Sequence, residues 1–599
     1  MEGATLASGQ IELNADVKAA IVDHIGVYSD LRALALTCKD WNYLVTKRLY
    51  ENIVFDIRNP DGQLLAFQQC LAIGAWRNLQ YARSLSLLDI WPESSITCKL
   101  PPPKEWDPRE KVLLLLDVLQ SFPKNKLRRF RYLSLSPINA AIVNLLAQSQ
   151  QSIEELHVPC GSLQRLISPK TRQLTAAFKS EHEQTDGFVE IALATSALES
   201  LTLVHVQDMF MFDMFEDVDP DAVVEVYWKD SVNSILFDHK KFVTSQLTIQ
   251  GCLPLTFPPT IFDMSKLTRL AFFDCRFSLA KNLCCSPDLQ NLTHFTLYTH
   301  DDISELDIIS LRTMFLRNQG IHHLCLHFPG LSKTPLEPRV SDAEGLPNAH
   351  SSYLWPTRNS LRTLSLFDEC SLFDNDEELL SKSSLEFVCK EIHGLNQLAI
   401  RAPELQHRNS RSILKLKRYR HEFVLEYLEP IKYLKGLNIL QLYQPQLRAV
   451  PKAKVRADPA LNTQEFATLF FQWAHASCPH LKVLVWGLSK ETPDSAVIDC
   501  LRTDDMEVRT DSINGVEKIP QQYFIKQVVE VYNGATQISA VAVPRSRIRE
   551  DFPELDIISC DTIWFDPLAR LAREDDVDLN NSSVLKHKAG CGLAQRNIG

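Results

Sequence analysis

Long apolar runs and glycine-rich segments are both scarce in this chain. Only 19 of its 599 residues are glycine, which argues against extended low-complexity sequence. The longest apolar run, from Val112 to Leu116, is far shorter than the roughly 18 residues that a bilayer span needs. The first twelve residues also lack the basic and apolar regions of a secretory signal. We therefore expect neither secretion nor a membrane partner.

Cysteine spacing excludes the usual disulfide and zinc frameworks. The 15 cysteines are scattered, odd in number and without a CxxC pair. The closest two, Cys284 and Cys285, are adjacent and therefore unsuited to a zinc knuckle. Reduced, mostly buried thiols are the better interpretation, as in cytosolic and nuclear proteins. The sequence thus predicts a cytoplasmic or nuclear protein with no metal site.

The chain also lacks the short motifs of common enzyme classes. No HExxH, GxGxxG, P-loop or GxSxG pattern occurs, so we predict a non-catalytic protein without a cofactor. His322, His323 and His327 surround Cys325, but neighbouring strand residues point to opposite faces, which favours a structural role over metal binding. The formal net charge of −11 makes nucleic acid an unattractive partner.

Three short helical patterns lie close together between Leu13 and Tyr50. Asn14 suits the start of the first helix, Ser29 or Asp30 the second and Asp40 the third. Apolar residues recur at three- and four-residue spacing in these helices. A unit this small rarely stabilises itself without a partner. One interpretation is a surface made for another protein, and the alternative is an ordinary helical subdomain.

The order of residues in this stretch resembles an F-box, the adaptor-binding motif of SCF-type ubiquitin ligases, particularly in fungal proteins. The Asp30-Leu31 and Cys38-Lys39-x-Trp41 elements match the family pattern. Asn14 stands where the family prefers proline, and the turn before Leu31 is one residue longer than usual. The resemblance covers residues 10–55 and implies that the Skp adaptor, tethered to a cullin scaffold, is bound by Leu13, Val17, Ile21, Ile25, Leu31, Leu34, Leu36, Cys38, Trp41 and Leu44, with Leu34 and Trp41 as the main anchors.

A second pattern fills most of the remaining chain: an apolar residue, two others, a leucine, one other and an apolar residue. This form is typical of leucine-rich repeats, in which a short strand precedes a turn bearing Asn or Cys. Cys275 holds that turn position in the copy around Leu270. The central residues of the copies are Leu133, Leu156, Leu201, Leu270, Phe295, Leu324, Leu364, Leu398, Leu440 and Leu484, with weaker copies at Leu85 and Leu247.

The spacing of these copies supports a repeat array but not a regular one. Central residues 247, 270, 295 and 324 follow one another within the 20–29 residues of this repeat class. The intervals after residues 324, 398 and 440 are much longer, which requires insertions. The alternative is a set of unrelated buried strands in an α/β domain. We predict an α/β repeat fold in which a three-helix F-box precedes a leucine-rich-repeat-like curved solenoid with a small β-rich C-terminal cap.

The predicted domain organisation follows from these patterns. Residues 10–55 are the F-box motif, 56–84 a connecting segment and 85–510 the degenerate repeat array. Residues 515–568 hold strand-like runs around Asn533-Gly534, a favourable hairpin turn, and are predicted to cap the array. The polar residues 570–599 are predicted to form a disordered tail.

One basic cluster stands out in this acidic chain. Family adaptors often recognise phosphorylated segments, and arginine suits bidentate phosphate contacts; a solvated helical face is the alternative. The candidate phosphate contacts are Arg411, Lys417, Arg418 and Arg420.

Together these patterns predict a substrate-receptor subunit of an SCF-type ubiquitin ligase, with a protein substrate on the repeat region. The competing hypotheses are an interaction scaffold without ubiquitin transfer and a hydrolase or transferase in an α/β fold.

Overall fold

The computed structural model describes the chain in segments that cover most of the predicted elements. The described residues are 13–24, 28–57, 64–89, 108–134, 138–159, 163–178, 191, 198–205, 242–250, 262–273, 275, 281, 283–299, 303–331, 354–367, 380–401, 424–443, 447–448, 459–486, 516–517, 522–530, 536–543, 548 and 552. The Asn533-Gly534 turn, the basic cluster, residue Ile25 and the 570–599 tail lie outside them.

Helices and strands alternate along most of the described chain. The α-helices are α1 (Ala15–His24), α2 (Tyr28–Ala35), α3 (Lys39–Glu51), α4 (Leu64–Ala72), α5 (Pro108–Gln120), α6 (Ala140–Ser149), α7 (Leu163–Leu166), α8 (Glu305–Arg317), α9 (Lys382–Glu391) and α10 (Pro459–Ala474). Short 3-10 helices span Ala75–Tyr81, Met264–Lys266, Trp355–Thr357 and Glu429–Tyr433.

The strands are short and follow the leucine pattern. They are β1 (Asn52–Asp56), β2 (Ser84–Asp89), β3 (Arg129–Ser134), β4 (Glu155–Pro159), β5 (Gln173–Phe178), β6 (Leu198–His205), β7 (Thr244–Gln250), β8 (Arg269–Phe273), β9 (His294–Tyr298), β10 (His323–His327), β11 (Thr363–Phe367), β12 (Gln397–Arg401), β13 (Ile439–Tyr443), β14 (Leu447–Arg448), β15 (Val483–Trp486), β16 (Val516–Glu517), β17 (Gln522–Glu530) and β18 (Thr536–Val543).

Sixteen of these described strands form one sheet in almost the order of the chain. Strands β1 to β13 and β15 pair in parallel with their sequence neighbours. Strands β17 and β18 continue the sheet as an antiparallel pair against β15, while β14 and β16 form a separate two-stranded sheet. The coarse prediction of an α/β fold is therefore confirmed: the protein has a long, mostly parallel sheet with helical crossovers.

The main sheet is held in register by one buried apolar residue in each of its strands from β1 to β17, a row that we call the central ladder. Its members are paired across every neighbouring strand and lie in one continuous hydrophobic core. Alternation along each strand turns these residues to the helix side and their neighbours to the opposite face. The central ladder comprises Ile53, Leu85, Phe130, Leu156, Leu174, Leu201, Leu247, Leu270, Phe295, Leu324, Leu364, Leu398, Leu440, Leu484 and Phe524.

One predicted copy has the wrong register. The sequence pattern placed Leu133 at the centre of β3, but Phe130 pairs with Leu156 and is fully buried. The preceding apolar position is Leu127, which is also buried. The Leu-x-Leu pair at residues 133 and 135 matches the pattern as well as Phe130 and Tyr132 do, and the larger aromatic side chain occupies the core.

Helix starts are set by polar side chains at several of the crossovers. Ser304 and Asp307 form a reciprocal capping box at the start of α8. Burial alone would raise the pKa of the Asp307 carboxyl group, but hydrogen bonds from Ser304 and Lys281 lower it below its usual value. Asn139 accepts from the Ala141 backbone N–H at the start of α6. Such caps satisfy N–H groups that the helix itself leaves without partners.

Helix α10 packs against the C-terminal strands β17 and β18 and is hydrogen-bonded to β18. Gln464 and Gln472 donate from their side-chain amides to the carbonyl oxygens of Ala540 and Ile538, at 3.1 and 3.0 Å. Thr468 Oγ1 accepts from the Ala540 N–H at 3.1 Å. The predicted strand-like runs around residues 523–543 thus form β17 and β18, which extend the main sheet.

Candidate functional site

The N-terminal helices α1, α2 and α3 pack around a very small core. Val22, Leu31 and Val45 are its buried members, one from each helix. Partly buried side chains surround them, including Leu34, Trp41, Leu44 and Leu49. Three buried side chains provide only on the order of 5–9 kcal/mol of apolar stabilisation, which the ordering entropy of nearly forty residues opposes. The unit therefore depends on its attachment to the rest of the chain or on a partner.

That attachment is covalent and hydrogen-bonded. Helix α3 leads directly into β1, the first strand of the sheet, and the Arg83 N–H donates to the Glu51 carbonyl at 2.8 Å. Helix α3 also packs against the 3-10 helix Ala75–Tyr81. The helical unit is thus fixed to one end of the sheet.

A stripe of exposed apolar side chains runs along α1. Val17 and Ile21 are four residues apart, which places them on one face of the helix, and Leu13 lies just before it; each of the three is exposed, Val17 to 46%. Leu36, in the turn between α2 and α3, is 78% exposed. We call these four residues the N-terminal apolar surface. Exposed large apolar side chains that lie this close in the sequence are candidates for contact with a partner.

The structure divides the residues that the F-box resemblance implies. Leu13, Val17, Ile21, Leu36 and Cys38 are exposed. Leu34, Trp41 and Leu44 are partly buried against the small core.

Leu31, one of the predicted contact residues, is buried among the three helices. Only 2% of this residue is exposed, so in this arrangement it stabilises the helices from inside. Helical periodicity could not separate it from the outer residues, because both sets are apolar.

Local polar contacts fix the ends of the helices. Asn14 Oδ1 accepts from the Asp16 N–H at 3.2 Å, as predicted for a helix-starting residue. Asp40 does not cap α3, because the cap position belongs to Cys38, whose side chain makes no capping bond. Asp40 instead pairs with Lys18 of α1 at 3.0 Å, which joins the first and third helices. Helix α2 begins at Tyr28, before both of its proposed caps.

Two exposed apolar residues next to this unit were missed by sequence analysis. Ile73 follows α4, and Trp76 lies in the 3-10 helix that packs against α3; both are more than half exposed. They stand outside the F-box-like stretch, and only the presence of a tryptophan in a turn-rich segment could have marked them.

The histidine cluster does not converge on one point. His322 is exposed, His323 is half-buried and His327 is buried. His327 Nε2 lies 2.8 Å from Ser365 Oγ and 3.3 Å from Cys325 Sγ, and burial lowers its pKa to about 3. Among the described residues, no group of three or more metal-ligating side chains could hold a metal ion.

Buried thiols have the opposite character to reactive ones. Burial raises the pKa of Cys284 and of Cys389 well above the usual range, and that of Cys478 to about 11. A thiolate is the nucleophilic form of cysteine, so these three positions are unsuited to nucleophilic chemistry. Cys275 has a structural use: its thiol donates to the Ile249 carbonyl oxygen of the preceding strand at 3.4 Å.

The phosphate-contact candidates Arg411, Lys417, Arg418 and Arg420 lie outside the described residues. Across the described parts of the chain, no helix is long and apolar enough to cross a bilayer. No protein-family model matches the sequence, and no curated protein matches it either.

Proposed function

We propose that this chain is the substrate-receptor subunit of an SCF-type ubiquitin ligase. Its N-terminal helices would bind the Skp adaptor, and through it a cullin, while the sheet-bearing region would bind a protein substrate. The observation that carries the proposal is the N-terminal apolar surface on a unit with only three buried core residues. A partner that covers this surface would supply the apolar burial that the unit lacks.

The sheet supports the second half of the proposal. Consecutive parallel strands with one buried apolar residue at each centre are what a leucine-rich-repeat solenoid would contain. Such an array presents a long continuous face, which suits the capture of an extended protein segment. Ubiquitin transfer would then be accelerated by holding the substrate near the conjugating enzyme, with no catalytic group required from this chain.

Among the predicted contact residues, the structure favours other probes than the two main anchors. Leu34 and Trp41 remain candidates through their exposed parts, but truncating either would also weaken the small core. Val17 and Ile21 are better probes, because their side chains are exposed and their replacement leaves that core intact.

The test is co-expression of the chain with the Skp adaptor and affinity capture. We expect a complex with the wild type and at least tenfold less adaptor with Val17→Asp/Ile21→Asp, because charges would replace apolar contact area. The matched control is Ile309→Asp, the same change at an exposed apolar residue of α8. Equal capture by all three proteins, or none by a folded wild type, would contradict the proposal.

A cullin in the same experiment separates the ligase receptor from the scaffold alternative. If the chain is a receptor, the cullin should be captured together with the adaptor. Capture of the adaptor without the cullin would favour an F-box-like scaffold that has no role in ubiquitin transfer.

A further inference from the structure

The sheet face opposite the central ladder changes character along its length. Towards the C-terminus it is apolar: Ala399, Ile439 and Val483 form a second small core there with Ile548. On β7 to β11 it instead carries several polar side chains and forms a cleft of about 170 Å³. We call this region the polar cleft.

Among the residues that the structure describes, the polar cleft is lined by Arg269 and by no carboxylate, although the whole protein is acidic. Strands β7 to β15 contain no aspartate or glutamate, although the chain carries a net charge of −11. The face of the cleft instead presents Arg269, His294 and His323 from three consecutive strands. Such a local excess of donors attracts an acidic ligand even in an acidic protein.

The donors form a continuous row. Arg269 pairs in register with His294, His294 with His323, and His323 with Thr363. The imidazole rings of His294 and His323 are stacked, with centroids 4.0 Å apart and planes 11° from parallel. Strands lie about 4.8 Å apart, so the row is roughly 14 Å long, the length of about four residues of extended peptide.

Two members of the row can form a further polar contact, because their side chains lack one within the described residues. Arg269 is exposed and forms no ion pair there. Thr363 is 3% exposed, and its Oγ1 has no hydrogen-bond partner in the described part of the chain. A different arginine on the same face is already neutralised by a carboxylate. Arg131 of β3 donates from its guanidinium to the Glu155 carboxylate of β4 at 2.7 Å. A built-in carboxylate is thus present at β3 and β4 and missing at β8 to β11.

We propose that the polar cleft binds an acidic, extended peptide segment of a partner protein, with a carboxylate on Arg269 and further acidic side chains along His294 and His323. The inference rests on the proposed function only in naming that partner as the substrate. Charge-assisted bonds from arginine to carboxylate are among the stronger polar contacts, so Arg269 is the residue on which binding depends most.

The test is a fluorescence-polarisation titration of the full chain with labelled peptides. The probes are three decapeptide libraries with degenerate flanks, and each has its own fixed central tripeptide. These tripeptides are Glu-x-Glu, Gln-x-Gln, and phosphoserine-x-phosphoserine. We expect the Glu library to bind more tightly than the Gln library, and its affinity to fall as salt is raised. Arg269→Glu should weaken it about tenfold, while Arg269→Lys should retain part of the affinity.

The matched control is Lys266→Glu, the same charge change at an exposed residue that lies outside the cleft. Equal binding of the Glu and Gln libraries, or equal loss in the Arg269→Glu and Lys266→Glu variants, would overturn the inference. Binding of the phosphoserine library alone would overturn the assignment to carboxylates. Because no adaptor is present in this titration, its failure leaves adaptor capture untouched, and failed adaptor capture leaves the peptide result standing.

Discussion

At the scale of single residues, His327 shows how the sheet uses a titratable group as a structural one. Its ring lies on the face opposite the central ladder, is buried between neighbouring strands and contacts Ser365 and Cys325. Burial disfavours the charged imidazolium, which is why the pKa of His327 falls to about 3. In the unfolded chain the same group has its ordinary pKa of 6.5.

This difference predicts a loss of stability in acid. Below pH 6.5 the unfolded state binds a proton that the folded state does not, so the free energy of unfolding falls as the pH falls towards 3. At pH 5.5 the wild type should have lost on the order of 1 kcal/mol through this group. His327→Gln should lack that part of the loss, as measured by denaturant unfolding at pH 8 and pH 5.5.

The control is His322→Gln, the same replacement at the exposed residue that precedes β10. The loss assigned to His327 is the difference between the two variants. Identical pH dependence in His327→Gln and the wild type would show that His327 is not buried as a neutral group.

At the scale of elements, Asn318 joins one crossover to the next. It ends α8 and is buried, with Oδ1 accepting from the Leu292 N–H at 3.0 Å and Nδ2 donating to the carbonyls of Leu289 and Met314. Gln150 has the same position at the end of α6 and bonds the Leu127 N–H and the Pro123 carbonyl. Buried side-chain amides at helix ends therefore form hydrogen bonds with backbone groups of the loop that leads into the preceding strand.

Asn318→Ala should destabilise the protein by about 2–3 kcal/mol, because it leaves a buried N–H and a buried carbonyl without partners. Gln319→Ala, at the exposed neighbouring position, should have an effect within about 0.5 kcal/mol. Denaturant unfolding of both variants measures the difference. A similar small effect of the two changes would contradict the role assigned to Asn318.

The strands were more predictable than the residues that lie between them. A large apolar residue, most often leucine, is buried at the centre of each ladder strand, so the recurring pattern marks most of the central ladder directly. Strand β5 was missed because Thr171 and Ala176 hold positions where other copies have large apolar residues. The register error at Leu133 arose because two apolar patterns overlap in β3. Polar partnerships such as that of Asn318 depend on contacts between crossovers, which one-dimensional spacing does not encode.

The same limit applies to the N-terminal unit. Periodicity identified its three helices and its apolar residues, and Asn14 as the first cap. It could not distinguish Leu31, which packs inside, from Val17, which remains exposed. That distinction is decided by how α1 and α2 pack on α3. The N-terminal apolar surface can therefore be identified only from the packed helices.

At the scale of the whole molecule, the proposed function assigns two partners to two different surfaces. The N-terminal apolar surface lies at the first strand of the sheet, whereas the polar cleft lies on β7 to β11. One is apolar and the other is basic, so their partners should differ in chemistry. A receptor subunit needs this division, because adaptor and substrate must be held at the same time.

The most direct test of the central claim is amide hydrogen exchange of the full chain with and without purified Skp adaptor. We expect the adaptor to slow exchange in residues 13–24 and around Leu36, because partner contact stabilises a marginal helical unit. Exchange in β7 to β11 should stay unchanged. Adaptor binding that leaves residues 13–51 unprotected, or that protects the sheet instead, would contradict the account.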